Sequence, residues 1–176
     1  LSGFPDKNES EYDPFTCGHS GNAISAGLDV SCADAILGHK RSTVVVVGDG
    51  AIGAGMSFEA LNHAGDLKKN LLVVLNDNEM SISNTVGAFS KYLNKIRTAP
   101  IYVDMRKEVH NLLKVLPVFG KPVEKTLEHV VELIRGGAAV PGQIFKDLGF
   151  NYFGPIDGHN FRILIAILND IKHLEG

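Results

Sequence analysis

The side chains best suited to chemistry in this sequence fall in two short clusters, Gly48-Asp49-Gly50 and Asn76-Asp77-Asn78-Glu79-Met80. Each cluster follows directly on a short apolar run, Thr43 to Val47 and Leu71 to Leu75. Both runs read as buried parallel strands. Ligands of open parallel sheets bind beyond the carboxyl ends of the strands, and neighbouring strands lie roughly 5 Å apart. Asp49 and Asn78 could therefore reach one ion if the two strands are neighbours. One carboxylate, one amide oxygen and a loop carbonyl make a hard-oxygen ligand set. Such a set suits Mg²⁺, which also takes phosphate oxygens and water, and does not suit zinc, which favours His and Cys.

The glycines fit the same chemistry. Gly48 and Gly50 permit a tight turn and leave room for a phosphate to approach without meeting a Cβ. A helix beginning near Ala51 would point its free N–H groups at the same place. Two other readings stay open. Gly48-Asp49-Gly50-Ala51-Ile52-Gly53 also matches the dinucleotide fingerprint G-x-G-x-x-G between a strand and a helix. Against that, Asp49 would repel a pyrophosphate unless a cation lay between them. The candidate ribose-binding acid, Asp77, also comes farther on than the roughly 20 residues the fingerprint expects. The third reading is a structural glycine turn with an exposed loop.

These clusters need elements to hold them. Residues 22–37 read as a helix rich in small residues, able to lie close on a sheet, with Gly38 as its stop. The strand Thr43–Val47 follows. The next helical spacing, about Ala51 to Ala64, carries Ile52, Met56, Phe58 and Leu61, with Gly65 as its end. A polar loop at 66–70 and the strand Leu71–Leu75 complete a βαβ unit, whose crossover should be right-handed. Residues 84–140 are expected to form a surface-lying, mobile insertion with one helix near 123–135. A short helix at 142–148, a strand-like stretch at 150–153, a turn at 154–158 and a helix from Phe161 to Leu174 close the chain. The expected fold class is α/β, an open parallel sheet with helices on both faces, incomplete in this chain.

Composition excludes several classes. The 176 residues are 44% hydrophobic and 21% charged, a globular mixture in the size range of one domain. A net charge of −3 gives no basic field for nucleic acid. No apolar run approaches the ~20 residues of a membrane helix. Cys17 and Cys32 form no ligand cluster or CxxC pair and read as reduced thiols of a cytoplasmic protein. The polar, turn-rich residues 1–17 and the end just after a helical pattern are expected of a piece of a longer polypeptide.

The wording of the motifs adds a resemblance. GDG followed about thirty residues later by an asparagine resembles the thiamine-diphosphate motif of transketolases and pyruvate decarboxylases. GDGAIGAGMSFEALNHAGDLKKNLLVVLNDNEMSIS, with ESEYDPFTCGHSGNAISAG upstream and VPGQIFKDLGFNYFGPIDGH downstream, resembles the 1-deoxy-D-xylulose-5-phosphate synthases of the transketolase-like group. The resemblance covers nearly the whole chain and is weakest across 84–140.

That resemblance implies thiamine diphosphate and Mg²⁺ as cofactors. It makes Asp49 and Asn78 side-chain ligands of the metal and gives Met80 a backbone carbonyl on it. Gly50 and Ala51 would line the diphosphate, and Gly18, His19 and Ser20 match another cofactor-contacting segment. These last residues precede a helix N-terminus, a natural place for an anion. The implied reaction joins pyruvate to D-glyceraldehyde 3-phosphate with loss of CO₂, giving 1-deoxy-D-xylulose 5-phosphate for isoprenoid, thiamine and pyridoxal synthesis. The full-length enzyme would be a homodimer. The resemblance further implies that no catalytic residue of the family falls in this chain and that the pyrimidine-binding and C-terminal domains are not part of it, so the isolated chain is expected to be inactive. The sequence departs from the family at Gly21-Asn22-Ala23, where Ser-Thr-Ser is common, and at Gly53, where threonine is common. Asn62, His63 and the turn Asp157-Gly158-His159 read as structural, with Asn160 capping the last helix. Lys68, Lys69, Lys121 and Lys125 read as solvated.

Overall fold

The computed structural model describes residues 1–78, 87–98 and 142–174. The chain folds as two compact units, Leu1–Thr85 and Val86–Glu175.

The first unit is built on two parallel strands, β1 (Thr43–Gly48) and β2 (Leu71–Asn76), paired in register from Thr43 with Leu71 to Gly48 with Asn76. Helix α1 (Ala23–Leu37) precedes β1, and helices α2 (Asp49–Ile52) and α3 (Gly55–Leu67) connect the strands. This is the expected α/β class, a small parallel sheet flanked by helices. The small residues of α1 have the expected effect. A Cβ on Gly27 would lie 2.2 Å from Cγ2 of Val45 and 3.3 Å from Cδ1 of Leu71, so only glycine lets the helix come this close to the sheet. The core between them is Ile24, Leu28, Val45, Val47, Ile52, Leu61 and neighbouring alanines.

β1 was expected to be buried throughout, and it is buried on one face only. Val45 and Val47 turn toward α1, whereas Val44 and Val46, which strand alternation places on the opposite face, are 57% and 65% exposed. α1 ends as the sequence predicts, with Gly38 in the left-handed region and its N–H bonded to the Ala35 carbonyl. The helix expected over Ala51–Ala64 is instead two. α2 begins earlier, at Asp49, and stops after one turn. Ala54 is extended (φ −67°, ψ 141°), which breaks the path before α3. α3 runs past Gly65 to Leu67 and ends at Lys68, a left-handed residue with φ 46°.

The end of the sheet away from the glycine turn is tied by polar side chains. The buried carboxylate of Asp34 accepts hydrogen bonds from Nε of Arg41 at 3.0 Å to each oxygen, from Nη2 of the same arginine, and contacts Nδ1 of His39 at 3.3 Å. The Arg41 hydrogen bonds hold the Asp34 carboxyl below the usual carboxylate range. Ser31 donates to the Asn70 carbonyl at 3.2 Å, which also accepts from the Thr43 N–H, so α1 is pinned to the start of both strands. Cys17 and Cys32 are free thiols, as expected.

In the second unit, α4 (Ala88–Thr98) lies within the segment expected to be an insertion. Phe89, Tyr92, Leu93 and Ile96 give it a helical apolar stripe that the sequence reading passed over. The rest of that segment, including the helix expected near 123–135, Lys121 and Lys125, lies outside the described residues. α5 (Gln143–Asp147) follows Gly142 as expected. Phe145 stacks on Tyr152 at 5.7 Å between ring centroids and meets Phe89 edge-on at 6.3 Å. The Tyr92 hydroxyl accepts from the Ile144 N–H at 3.1 Å. Residues 150–153 form no strand, because Tyr152 is held by ring stacking and no ladder partner lies beside it among the described residues. α6 (Phe161–Ile171) is capped by Asn160, whose side chain accepts from the Ile163 N–H at 3.3 Å. The Asp157 side chain accepts from the His159 N–H at 3.0 Å, a hydrogen bond within the turn.

Candidate functional site

The parallel ladder decides where the two chemical clusters go. Gly48 and Asn76 are partners in its last rung. Asp49 is thus the first residue beyond β1, and Asn78 the second beyond β2, both leaving the same carboxyl end of the sheet. Asp49 is half-buried as the first residue of α2, and Asn78 is exposed. Met80, the third expected ligand, lies outside the described residues. Among the described residues no group of three or more His, Cys, Asp and Glu side chains could hold a metal alone. Asp49 and Asn78 offer one carboxylate and one amide oxygen, hard donors of the kind that Mg²⁺ takes and zinc does not favour.

The glycine turn has room beside it. Gly48 has φ −75° and ψ 155°, a conformation open to any residue, so the expected tight-turn reason for glycine does not apply there. A Cβ on Gly48 or Gly50 would meet nothing within 4 Å. The protein's own packing does not require glycine at either position, whereas close approach of a ligand would.

The dinucleotide alternative loses its structural support. In that fingerprint the third glycine serves close packing of a helix that starts in the turn. Here α2 is a single turn, and a Cβ on Gly53 would have only the Gly50 carbonyl near it, at 4.0 Å.

The second expected contact segment leads into Gly21, which packs against Ala51 and Ala54 beside the glycine turn. Gly18, His19 and Ser20 are exposed and lie just before α1, whose N-cap residue Asn22 makes no side-chain cap and whose first turn carries no acid. The positive end of this 15-residue helix thus carries no side-chain cap and no acid of its own. The His19 ring Nδ1 is turned onto the Ser20 carbonyl. Gly21, next in the chain, is buried with φ 93°, and a Cβ on it would lie 2.7 Å from Cβ of Ala54 and 3.3 Å from the Ala51 carbonyl. The departure from the family at this position is therefore matched to its surroundings.

Sequence reasoning missed Ser57. This α3 residue is fully buried, and its hydroxyl donates to the carbonyls of Gly21 at 2.8 Å and Ala51 at 3.0 Å. The available signal was a polar residue on the apolar stripe shared with Ala60, Leu61 and Ala64.

The family model described as 1-deoxy-D-xylulose-5-phosphate synthase matches residues 1–176. Proteins named 1-deoxy-D-xylulose-5-phosphate synthase from Alkaliphilus oremlandii, Desulforudis audaxviator and Syntrophomonas wolfei are 48%, 47% and 47% identical over the whole chain. The chain spans 28%, 28% and 27% of their respective lengths. The chain belongs to the 1-deoxy-D-xylulose-5-phosphate synthase family.

Proposed function

We propose that this chain is the Mg²⁺- and diphosphate-holding part of a thiamine-diphosphate-dependent transferase. In the full-length protein it would serve the condensation of pyruvate with D-glyceraldehyde 3-phosphate to 1-deoxy-D-xylulose 5-phosphate and CO₂. The reading includes the homodimeric, cytoplasmic form that the family resemblance implies.

The observation that carries the proposal is the register of the ladder, which sends Asp49 and Asn78 off one carboxyl end beside a glycine turn with open space. In this reading Asp49 supplies the only carboxylate on the metal. Asn78 supplies an amide oxygen, and Met80 a backbone carbonyl. Gly50 and Ala51 face the diphosphate, with Gly18, His19 and Ser20 approaching from the N-terminus of α1. A cation between Asp49 and the diphosphate removes the repulsion that two anions would otherwise feel. Bound thiamine diphosphate would supply the electron sink for decarboxylation. The chain's own part is to fix and orient that group by its diphosphate end.

No helix among the described residues is long and apolar enough to cross a membrane. The test is product formation by the full-length protein from pyruvate and D-glyceraldehyde 3-phosphate. Formation of 1-deoxy-D-xylulose 5-phosphate that requires both Mg²⁺ and thiamine diphosphate is expected. Absence of that product under these conditions would refute the proposal.

A further inference from the structure

Ser57 sits where two segments of the proposed cofactor site meet. Its side chain is completely buried, and its hydroxyl faces two carbonyls that belong to different parts of the chain. Gly21 follows the segment Gly18-His19-Ser20, and Ala51 ends the segment Gly48-Asp49-Gly50-Ala51. Ser57 is the third residue of α3, too near its start for the hydroxyl to bond back to a carbonyl of its own helix. Ser57 instead reaches the Ala51 carbonyl, in α2, and the Gly21 carbonyl, 36 residues away in sequence. The hydroxyl has one hydrogen, so it serves the two carbonyls in alternation or shares it between them.

The same junction is closed sterically. Gly21 occupies the left-handed region at φ 93°, where other residues are strained. A Cβ there would stand 2.7 Å from Ala54 and 3.2 Å from the Ser57 oxygen. The Gly21 backbone thus packs against the break between α2 and α3 too closely to leave room for a side chain. Ala54 limits the approach, and Ser57 pulls on both carbonyls.

We propose that Ser57 is a positioning residue for the cofactor's diphosphate: through the Gly21 and Ala51 carbonyls it fixes the spacing between residues 18–20 and the turn 48–51. The proposal rests on the thiamine-diphosphate reading of the site. In this reading Ser57 would contact neither metal nor cofactor and would set the width of the cradle that holds them.

The test uses the full-length protein and measures KM for thiamine diphosphate at saturating Mg²⁺, kcat at saturating cofactor, and the melting temperature without cofactor. Ser57→Ala is expected to raise KM for thiamine diphosphate roughly ten-fold, the scale of one lost buried hydrogen bond, with a much smaller change in kcat. Gly21→Ala, which wedges the two segments apart while leaving the hydroxyl in place, is expected to raise it at least as much. Ser57→Cys, a near-isostere with a weak donor, should fall between wild type and Ser57→Ala, and it replaces Ser57→Ala if that variant does not fold. A lowered melting temperature with unchanged KM in these variants would overturn the proposal, because Ser57 would then only stabilise the fold. A wild-type protein that shows no thiamine-diphosphate dependence would instead refute the functional reading, and this proposal with it.

Discussion

Gly48 and Asn76 are paired in the last rung of the parallel ladder, which makes the ends of β1 and β2 level with each other. The level ends matter because Asp49 and Asn78 follow different strands and would serve one metal only if the register holds. A slip of one residue would turn every side chain of a strand to the opposite face. The register is protected by α1, which packs on Val45 through Gly27, and by the Asn70 carbonyl, which binds Ser31 and Thr43 together at the other end.

The closeness of α1 gives a stability prediction. Gly27→Ala places a methyl 2.2 Å from Val45, so helix and sheet must separate. Overpacking of this kind costs about 1–3 kcal/mol. Better helix propensity returns only about 1 kcal/mol at most. Urea unfolding of the purified chain should show a lower midpoint for Gly27→Ala. A higher midpoint would mean that the helix can move away from the sheet without loss.

Asp34 sets an acid-side dependence. Its folded carboxyl is held below the ordinary range by the hydrogen bonds from Arg41, with His39 adding to the effect. A depressed folded value contributes stability that is fully present above the unfolded pKa of roughly 4. That contribution is lost as pH falls through the lower folded value. The unfolding midpoint of the wild-type chain should therefore fall as the medium is acidified below that point. Asp34→Asn should be less stable at neutral pH and show a shallower acid decline. Equal slopes for the two proteins between pH 5 and the acid limit, roughly the window in which such a carboxylate titrates, would show that the pair is not linked to folding.

The nicotinamide alternative is separable by binding. Calorimetry with NADH and with thiamine diphosphate, each with and without Mg²⁺, should show metal-dependent binding of thiamine diphosphate alone to the full-length protein. Tight NADH binding without metal would contradict the assignment. It would also require Gly53 to play a packing role, although a Cβ at that position would find no atom closer than 4.0 Å.

The parts of the fold legible in the sequence were those set by local pattern. The valine and leucine runs marked β1 and β2, Gly38 marked the end of α1, and Asn160 marked the start of α6. The strand-end clusters marked the candidate site for the same reason, since a polar cluster after a continuous apolar run identifies a strand's carboxyl end. What was not legible depended on tertiary contact. The break at Ala54 carries no proline, and Gly53 alone did not predict it. The one-sided burial of β1 follows from where α1 lies. Ser57 looks like an ordinary helical residue until Gly21, 36 positions earlier, is placed against it.

The isolated chain is expected to have no synthase activity. It would hold the cofactor by the diphosphate end only, and positioning of the reacting groups can account for roughly 7–11 kcal/mol of barrier lowering. The assay is product formation from pyruvate and D-glyceraldehyde 3-phosphate with Mg²⁺ and thiamine diphosphate. Turnover near ~10 per second, a usual enzyme rate, would show that an acid within this chain completes the site.

The most direct test of the central claim is the affinity of the full-length protein for thiamine diphosphate, titrated with Mg²⁺ and with a chelator, in wild type, Asp49→Ala and Asn78→Ala. Asp49→Ala should abolish the Mg²⁺-dependent part of binding, because in this reading Asp49 supplies the only carboxylate on the metal. Asn78→Ala should weaken that binding roughly ten-fold or more, as expected for loss of one oxygen ligand from a hard-cation site. Unchanged affinity in both variants would contradict the account and place the metal elsewhere.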